Sequence, residues 1–568
     1  PDVNNYTIPG QATTTANITP LDVTLSGSTG VNKVYDATTA MPADTVGYGS
    51  LGSANSTVLA ADMAISNGLG LVGAPVYDSA NAGNRTVQQG TVALSGSRAG
   101  NYRLVWSNGS GSIAKAPLTI TANDDAKFYS EADPAGFNGV RYSGFVGGQS
   151  EATAGVLTGA LAVTRDRSGL SGTAAQDSAG TYTNSLVPSG LNASNYAITY
   201  VPGTFTIVPV GELLVKVQNQ TTTYGDTPTY VITSARYMAD DPNSANALAV
   251  TDLLAAGYVS VAGSSVTVTD GTSPKAQFDL GPVNGALSSA GRLKAGAYQV
   301  GATSVFNASS DFSTTINVVG AIQVNRKGVT VDPGGVSKVY DGNTVMSNLT
   351  LAPVGLVASA TGTDDQLSVT GAGNFADKNA SAQANKSYTL TGLTLGSITV
   401  NGSTVDDSAN YFLSAGNSYI GSNGQITPRT LTVTYGGVNK VYDGATTATV
   451  TTTDNRVAGD TIAIARTAEF SDKNVATGKT VSVSGVSLTG TDAGNYVVAA
   501  TGSTTADITA RTLVVGYTGV NKVYDGGLVA SVTTTDNRVA GDVFDIARSA
   551  AFGDKNVGGG KTVSVTGV

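Results

Sequence analysis

The chain has no cysteine and no histidine among its 568 residues. The first absence removes disulfides, thiolate nucleophiles, iron–sulfur clusters and cysteine-ligated zinc; the second removes the usual general base and the commonest metal ligand. Serine–histidine and cysteine–histidine hydrolysis are excluded. Charge is also scarce: Asp, Glu, Lys and Arg make up 12% of the residues, about half the usual share, and the net charge is −9. Such a balance offers a phosphate backbone no basic footprint, so nucleic acid is not an expected partner. No apolar run approaches the roughly 18 residues that cross a bilayer. The most apolar region, Leu248 to Val261, is broken by Thr251, Asp252 and Ser260, and no membrane insertion by this segment is expected. Proline numbers only 17, so even with 71 glycines the composition stays below that of disordered low-complexity chains, and the chain is expected to fold.

What is present is repetition. Gly437 to Val486 aligns without gaps on Gly519 to Val568, with 37 of 50 positions identical. The opening phrase of this unit recurs as Gly30-Val31-Asn32-Lys33-Val34-Tyr35-Asp36, as Gly335 to Gly342, as Gly437 to Gly444 and as Gly519 to Gly526. A closing phrase of Asn-Tyr and alternating apolar residues recurs at Asn101-Tyr102, Asn195-Tyr196, Asn410-Tyr411 and Asn495-Tyr496, with a degenerate version at Asp311-Phe312. Asn5-Tyr6-Thr7-Ile8 leading to Ala16-Asn17-Ile18-Thr19 matches the closing phrase, and Val568 matches Val486, so both ends are expected to fall inside repeats of a longer array.

Each junction carries an apolar residue, a short link and a new alternating strand. This divides the chain into the closing strands of a preceding module (1–20), modules 21–117, 118–209, 210–327, 328–428 and 429–510, and an incomplete module 511–568. No junction holds a Gly/Ser tract, and Pro20, Pro117, Pro209 and Pro428 stiffen four of them. Neighbouring modules are expected nearly end to end.

Period-two alternation at Leu118-Thr119-Ile120-Thr121, Val266-Thr267-Val268-Thr269 and Val481-Ser482-Val483-Ser484 predicts half-buried strands. Turn clusters recur between them at about 8 to 12 residues, as in antiparallel sandwiches. Glutamate occurs only at Glu131, Glu151, Glu212 and Glu469, whereas aspartate, which bonds its own local backbone in turns, is common. One helical patch is expected at Asn243 to Ala256. The fold class is therefore all-β: a linear array of small immunoglobulin-like β-sandwich modules forming an elongated rod, each unit on the order of 30 to 40 Å long.

The recurring residues have two readings each. Tyr in Lys-Val-Tyr-Asp-Gly could stack on a sugar, but a structural role is favoured: Asp-Gly makes a turn, and Tyr buries its ring while its hydroxyl reaches a loop backbone. Tyr102, Tyr196, Tyr411 and Tyr496 are expected to anchor a corner before the last strands. The loop Asp454 to Asp460, copied at Asp536 to Asp542, lacks the acidic spacing of a calcium loop and is read as a solvated turn with an internal Arg–Asp contact. Asp377-Lys378-Asn379, Asp472-Lys473-Asn474 and Asp554-Lys555-Asn556 are read as local turns, and Lys440, Asn474 and Asp472 have the residue types of an intramolecular amide cross-link. No catalytic, cofactor-binding or metal-binding residue is expected, and no cofactor. Repeated turn aspartates do not make a unique cleft, so the chain is not expected to be an enzyme.

The Lys-Val-Tyr-Asp-Gly openings with Asn-Tyr closings resemble the YDG-type repeats of very large bacterial surface proteins. Leu118 to Lys127, with Gly180-Thr181-Tyr182 and Ser194-Asn195-Tyr196, similarly resembles the "mostly beta, glycine-rich" (MBG-type) modules that accompany them, and 210–327 looks like a divergent member. The first copy departs from the motif with Ala37 in place of Gly. Such arrays resemble the stalks of filamentous-haemagglutinin-like adhesins exported by two-partner secretion, including biofilm-matrix adhesins. The resemblance implies an extracellular location on a Gram-negative cell surface, an outer-membrane secretion partner for the full-length protein, and a stalk or spacer role. The alternative is that the modules themselves bind extracellular polysaccharide.

Overall fold

The computed structural model describes residues 17–42, 47–65, 68–96, 98–238, 250–269, 274–308, 315–359 and 362–568. The sequence readings at residues 5–16 and at Asp311-Phe312 lie outside them.

Strands dominate, and the alternating runs form them. In Ala116–Ala122, Leu118 and Ile120 are buried while Thr119 and Thr121 lie part-exposed on the other face. In Ala476–Thr489, Val481 and Val483 are buried between exposed Ser482 and Ser484. Thr and Val suit this position because β-branched side chains pack well on a pleated surface.

A shared plan runs through the complete modules. In 21–117, one sheet has the order Gly52–Ser53, Leu21–Ser26, Tyr102–Ser107, and the other Thr29–Val34, Gly109–Ala114, Gly83–Gln88, Val76–Tyr77. The opening segment is thus divided between both sheets, and so is the closing hairpin. Module 118–209 repeats the arrangement, and the largest module extends its second sheet to six strands.

The opening and closing strands pair in parallel, which corrects the expectation of purely antiparallel sheets. Leu21 pairs with Tyr102, Ala116 with Tyr196, Leu213 with Ile316, Lys327 with Tyr411 and Arg429 with Tyr496. Parallel pairing needs a long crossover, and the body of each module supplies it. Short 3-10 turns at Ala99–Asn101, Ser408–Asn410 and Ala493–Asn495 each end on the closing Asn and make the Tyr the first residue of its strand.

The expected helix at Asn243 to Ala256 is not formed over its described part: Val250–Asp252 is a strand and Leu253 to Ala256 a turn, with Asp252 accepting from the Leu254 and Ala255 amides. A helix that alternation did not announce, Ser56–Ala64, is capped by Asn55, whose side chain accepts from the Val58 amide, and it buries Leu59.

The chain divides into two compact units. One holds the described residues up to Lys338 with Asn343–Lys378 and Ala382–Gln425; the other holds Val339–Gly342, Asn379–Ser381 and Ile426–Val568.

Candidate functional site

The opening phrase builds a pinned loop. Lys440 Nζ donates to Asp443 Oδ1 at 2.8 Å and to the Ala445 and Thr447 carbonyls at 2.7 and 3.0 Å, above the Phe470 ring at 5.6 Å. Lys522 repeats this on Asp525, Gly527 and Val529, and Lys33 on Asp36 and Thr38. Lys338 reaches the Asn343 and Val345 carbonyls. The loop turns on a left-handed residue: φ is +84° at Gly342, +81° at Gly444 and +75° at Gly526. Ala37 adopts +66°, so the first copy keeps the turn despite its Cβ, at a cost of about 1–2 kcal/mol.

Parallel pairing decides where this loop goes. The second half of the opening segment runs alongside the last strand, as in Lys33 with Ile113 and Lys440 with Ile508, and leaves the opening Tyr at the exit end of its module. The closing Tyr starts its strand opposite the module's first residues, at the entry end. The opening Tyr of one module therefore meets the closing Tyr of the next.

Three such joints are complete. Tyr35 packs edge-to-face on Tyr196 with ring centroids 5.4 Å apart, Tyr224 on Tyr411 at 5.2 Å and Tyr340 on Tyr496 at 5.4 Å; all six rings are buried. A polar side chain from the later module ties each pair. Both oxygens of Asp460 accept from the Tyr340 hydroxyl, at 3.1 and 2.9 Å, and Oδ2 also accepts from Tyr496 at 2.6 Å. Asp365 Oδ2 accepts from Tyr224 and, at 2.5 Å, from Tyr411. In the first joint Gln149 replaces the acid, donating to Tyr35 at 2.9 Å and accepting from Tyr196. Each closing hydroxyl also accepts a loop amide of its own module, from Val146, Val357 or Val457. Burial first, and then the bond to the carboxylate, pushes the phenols of Tyr224, Tyr340, Tyr411 and Tyr496 above their ordinary value.

The closing Asn adds a second clasp. Its side-chain oxygen accepts the amide of Ala82 (from Asn195, 3.0 Å), Ala295 (from Asn410, 3.0 Å) or Ala380 (from Asn495, 2.8 Å). Close approach constrains two of the loop glycines as well. A Cβ on Gly225 would lie 2.7 Å from Val357, and one on Gly444 would lie 2.6 Å from Val539. Where Ala37 carries a Cβ, the opposing loop has Gly147, whose own Cβ would stand 2.7 Å from it.

One junction is built otherwise. Between modules 118–209 and 210–327, Phe128 takes the tyrosine's place in a buried cluster with Val208, Leu214, Met238 and Val319, flanked by Lys216–Asp125 at 2.7 Å and Arg236–Glu131 at 2.5 Å.

The geometry revises several residue readings. At Tyr35 and Tyr340 the opening Tyr is buried as expected, but its hydroxyl bonds a side chain of the following module and not its own loop backbone. The loop Asp454 to Asp460 does hold the internal contact, Arg456 clamping Asp454 at 2.8 and 2.5 Å, yet Asp460 is buried and not solvated. Asn379 sits in the turn that meets Asn495, and Lys473 reaches Asp542 at 3.0 Å, so these turns are not merely local. Lys440 spends its donors on its own loop, while Asp472 accepts from Lys479 at 2.8 Å, so the three cross-link residue types do not converge. Tyr224-Gly225-Asp226 acts as an opening tyrosine although motif counting passed over it; its signal was a Tyr-Gly pair directly after the strand Gln220–Thr223.

Residues 19–110, 325–419, 427–506 and 509–568 match the YDG domain, and residues 118–206 match the MBG domain of the YGX type. No curated protein matches the chain. Among solved structures, the crystal structure of the N-terminal eight Ig domains of Down Syndrome Cell Adhesion Molecule isoform 1.30.30 aligns over 87% of this chain at 8% identity with a TM-score of 0.20; the alignment spans 60% of that structure's length. With four YDG matches covering more than half its length, and an MBG domain between the first two, the chain belongs to the YDG-domain family of tandem β-sandwich repeats.

Proposed function

We propose that this array is a spacer segment of a large secreted bacterial adhesin, which holds a binding element away from the cell surface for cell–cell or biofilm-matrix adhesion. The observation that carries the reading is the joint. Two buried tyrosines, an acid or amide bonding both hydroxyls, and a closing Asn recur where one module follows another. Hydrogen bonds to a charged group contribute about 1.5–3 kcal/mol each, and an edge-to-face aromatic pair about 0.5–1.5 kcal/mol. Such a joint resists bending and transmits tension, which a tether needs and a flexible Gly/Ser link does not supply. Export without disulfides and module-by-module folding outside the cell fit the cysteine-free composition.

The test is an adhesion assay on cells displaying the full-length protein. Replacing this segment by an unrelated rigid β-sandwich array of equal length should preserve adhesion, whereas deleting it should reduce adhesion. Loss of adhesion in the length-matched exchange would refute the spacer reading and point to recognition by the modules themselves.

A further inference from the structure

One pair of modules, 118–209 and 210–327, lies side by side and not end to end. Contacts join their flanks: Asp125 meets Lys216 at 2.7 Å, Asn219 Nδ2 donates to the Asn138 carbonyl at 2.8 Å, and the Tyr142 amide donates to Gln323 Oε1 at 3.1 Å. Each flank has a direction. Val140–Ser143 pairs antiparallel with Ala116–Ala122, so it returns toward the entry end of its module, where Tyr196 stands opposite Ala116. Ala321–Asn325 runs parallel to Gln220–Thr223 toward the exit end of the other module, where Tyr224 stands. The second module is therefore folded back along the first. The start of the next module agrees: a Cβ on Gly148, beside the Gln149 that ties Tyr35 to Tyr196, would press into the Phe412 ring.

The turn and the flanks are held differently. At the turn, Ala126, Phe128, Val208, Leu214, Met238 and Val319 form a closed apolar cluster. Along the flanks the contacts are polar and the fit is incomplete, because Asn123, Arg141, Tyr142, Glu151, Asn219 and Gln323 border a cavity of about 100 Å³. Glu151 Oε2 is shut off from solvent there with no partner among the described residues, and burial pushes the Arg141 guanidinium below its ordinary value. A buried charge without a partner opposes closure, and water supplies what it lacks once the flanks part.

Tension finds this seam first. It enters 118–209 through the Tyr35–Tyr196 joint and leaves 210–327 through the Tyr224–Tyr411 joint. Folding back sets these joints at the same end of the pair, so a pull peels the flank contacts one after another, whereas the ladder bonds inside each sandwich share their load.

We propose that modules 118–209 and 210–327 are a reserve of length: under tension their flanks separate, the Phe128 cluster acts as the hinge, and the pair swings from side by side to end to end with both sandwiches intact. Each module is on the order of 30–40 Å long, so opening adds on the order of 60–80 Å. The use of this compliance in a tether rests on the spacer reading; the opening itself does not.

Force spectroscopy on the whole chain, held by its two ends, is the test. A reversible step on the order of 60–80 Å should precede all unfolding. Its size sets it apart, because unfolding a module of about 90 residues releases roughly 300 Å. The chain has no native cysteine, so Asn138→Cys with Asn219→Cys can be bridged by a short bis-maleimide. The unbridged pair should keep the step and the bridged pair should lose it. Glu151→Gln removes the unpartnered charge and should lower the open fraction at a given force by about tenfold. Extension that passes directly to steps of about 300 Å, or a short step that survives the bridge, overturns the proposal. A missing step beside preserved adhesion in the length-matched exchange refutes the reserve of length and leaves the spacer reading standing.

Discussion

Replacing Tyr340 by Phe removes one hydroxyl and leaves the ring against Tyr496. Asp460 then keeps its 2.6 Å bond from Tyr496 and loses the two contacts from Tyr340. A hydrogen bond to a charged group is worth about 1.5–3 kcal/mol, and the phenylalanine retains the edge-to-face packing, so the expected cost to the joint is about 1.5–3 kcal/mol. The assay is native-state hydrogen exchange at the Val457 amide, which donates to Tyr496 within the later module, and at the Ala380 amide, which donates to Asn495 across the joint. At 1.4 kcal/mol per tenfold, their exchange should accelerate by about ten- to 150-fold, while amides inside the strand Ala476–Thr489 hold their rates. Unchanged exchange at Val457 in Tyr340→Phe would show that the motif tyrosine acts through its own loop and not through the joint.

Ala37→Gly relieves a left-handed alanine, a gain of about 1–2 kcal/mol offset by about 0.4–1 kcal/mol of added unfolded-state entropy, so melting of the first module should rise slightly; a fall would refute the strain assignment. Lys440→Met leaves three loop oxygens to water and should cost about 1 kcal/mol, read as faster exchange at the Ala445 amide beside Asp443; no change would show that the Asp-Gly turn needs no pin. Alkali should open the joints. The phenols of Tyr224, Tyr340, Tyr411 and Tyr496 are raised in the fold, so their contribution is complete below the unfolded value of about 10 and is lost as pH rises from there through the folded values. Absorbance titration should show these four ionising above the ordinary phenol range, together with loss of structure; their early, fully reversible ionisation would contradict the burial.

The repeats made the modules legible. The gapless match of Gly437 to Val486 on Gly519 to Val568 and the alternation of Leu118 to Thr121 carry the strand content and the unit size, because period and copy number are local properties. The joint was not legible, for a topological reason. Tyr340 and Asp460 are 120 residues apart, and each sits in a phrase that makes a good turn by itself, so local chemistry explained the recurrence without needing a partner. Parallel pairing of Arg429 with Tyr496 brings the closing corner to the entry end, and that pairing follows from the crossover, not from any single residue pattern. Phe128 and Gln149 were missed because they do the tyrosine's and the acid's work with different chemistry.

The division of each complete module's opening segment between two sheets governs the order in which the chain acquires structure. Leu21 and Lys33 find their strand neighbours only at Tyr102 and Ile113, so the earliest-synthesised stretch of that module waits for its last to arrive. Contacts this distant along the chain slow the search, and a threaded polypeptide emerging from its N-terminus would carry one unfinished sandwich at a time behind those already closed. The opening tyrosine is finished later still, when the following sandwich supplies its partner, so consolidation trails emergence by up to a full unit and proceeds in one direction.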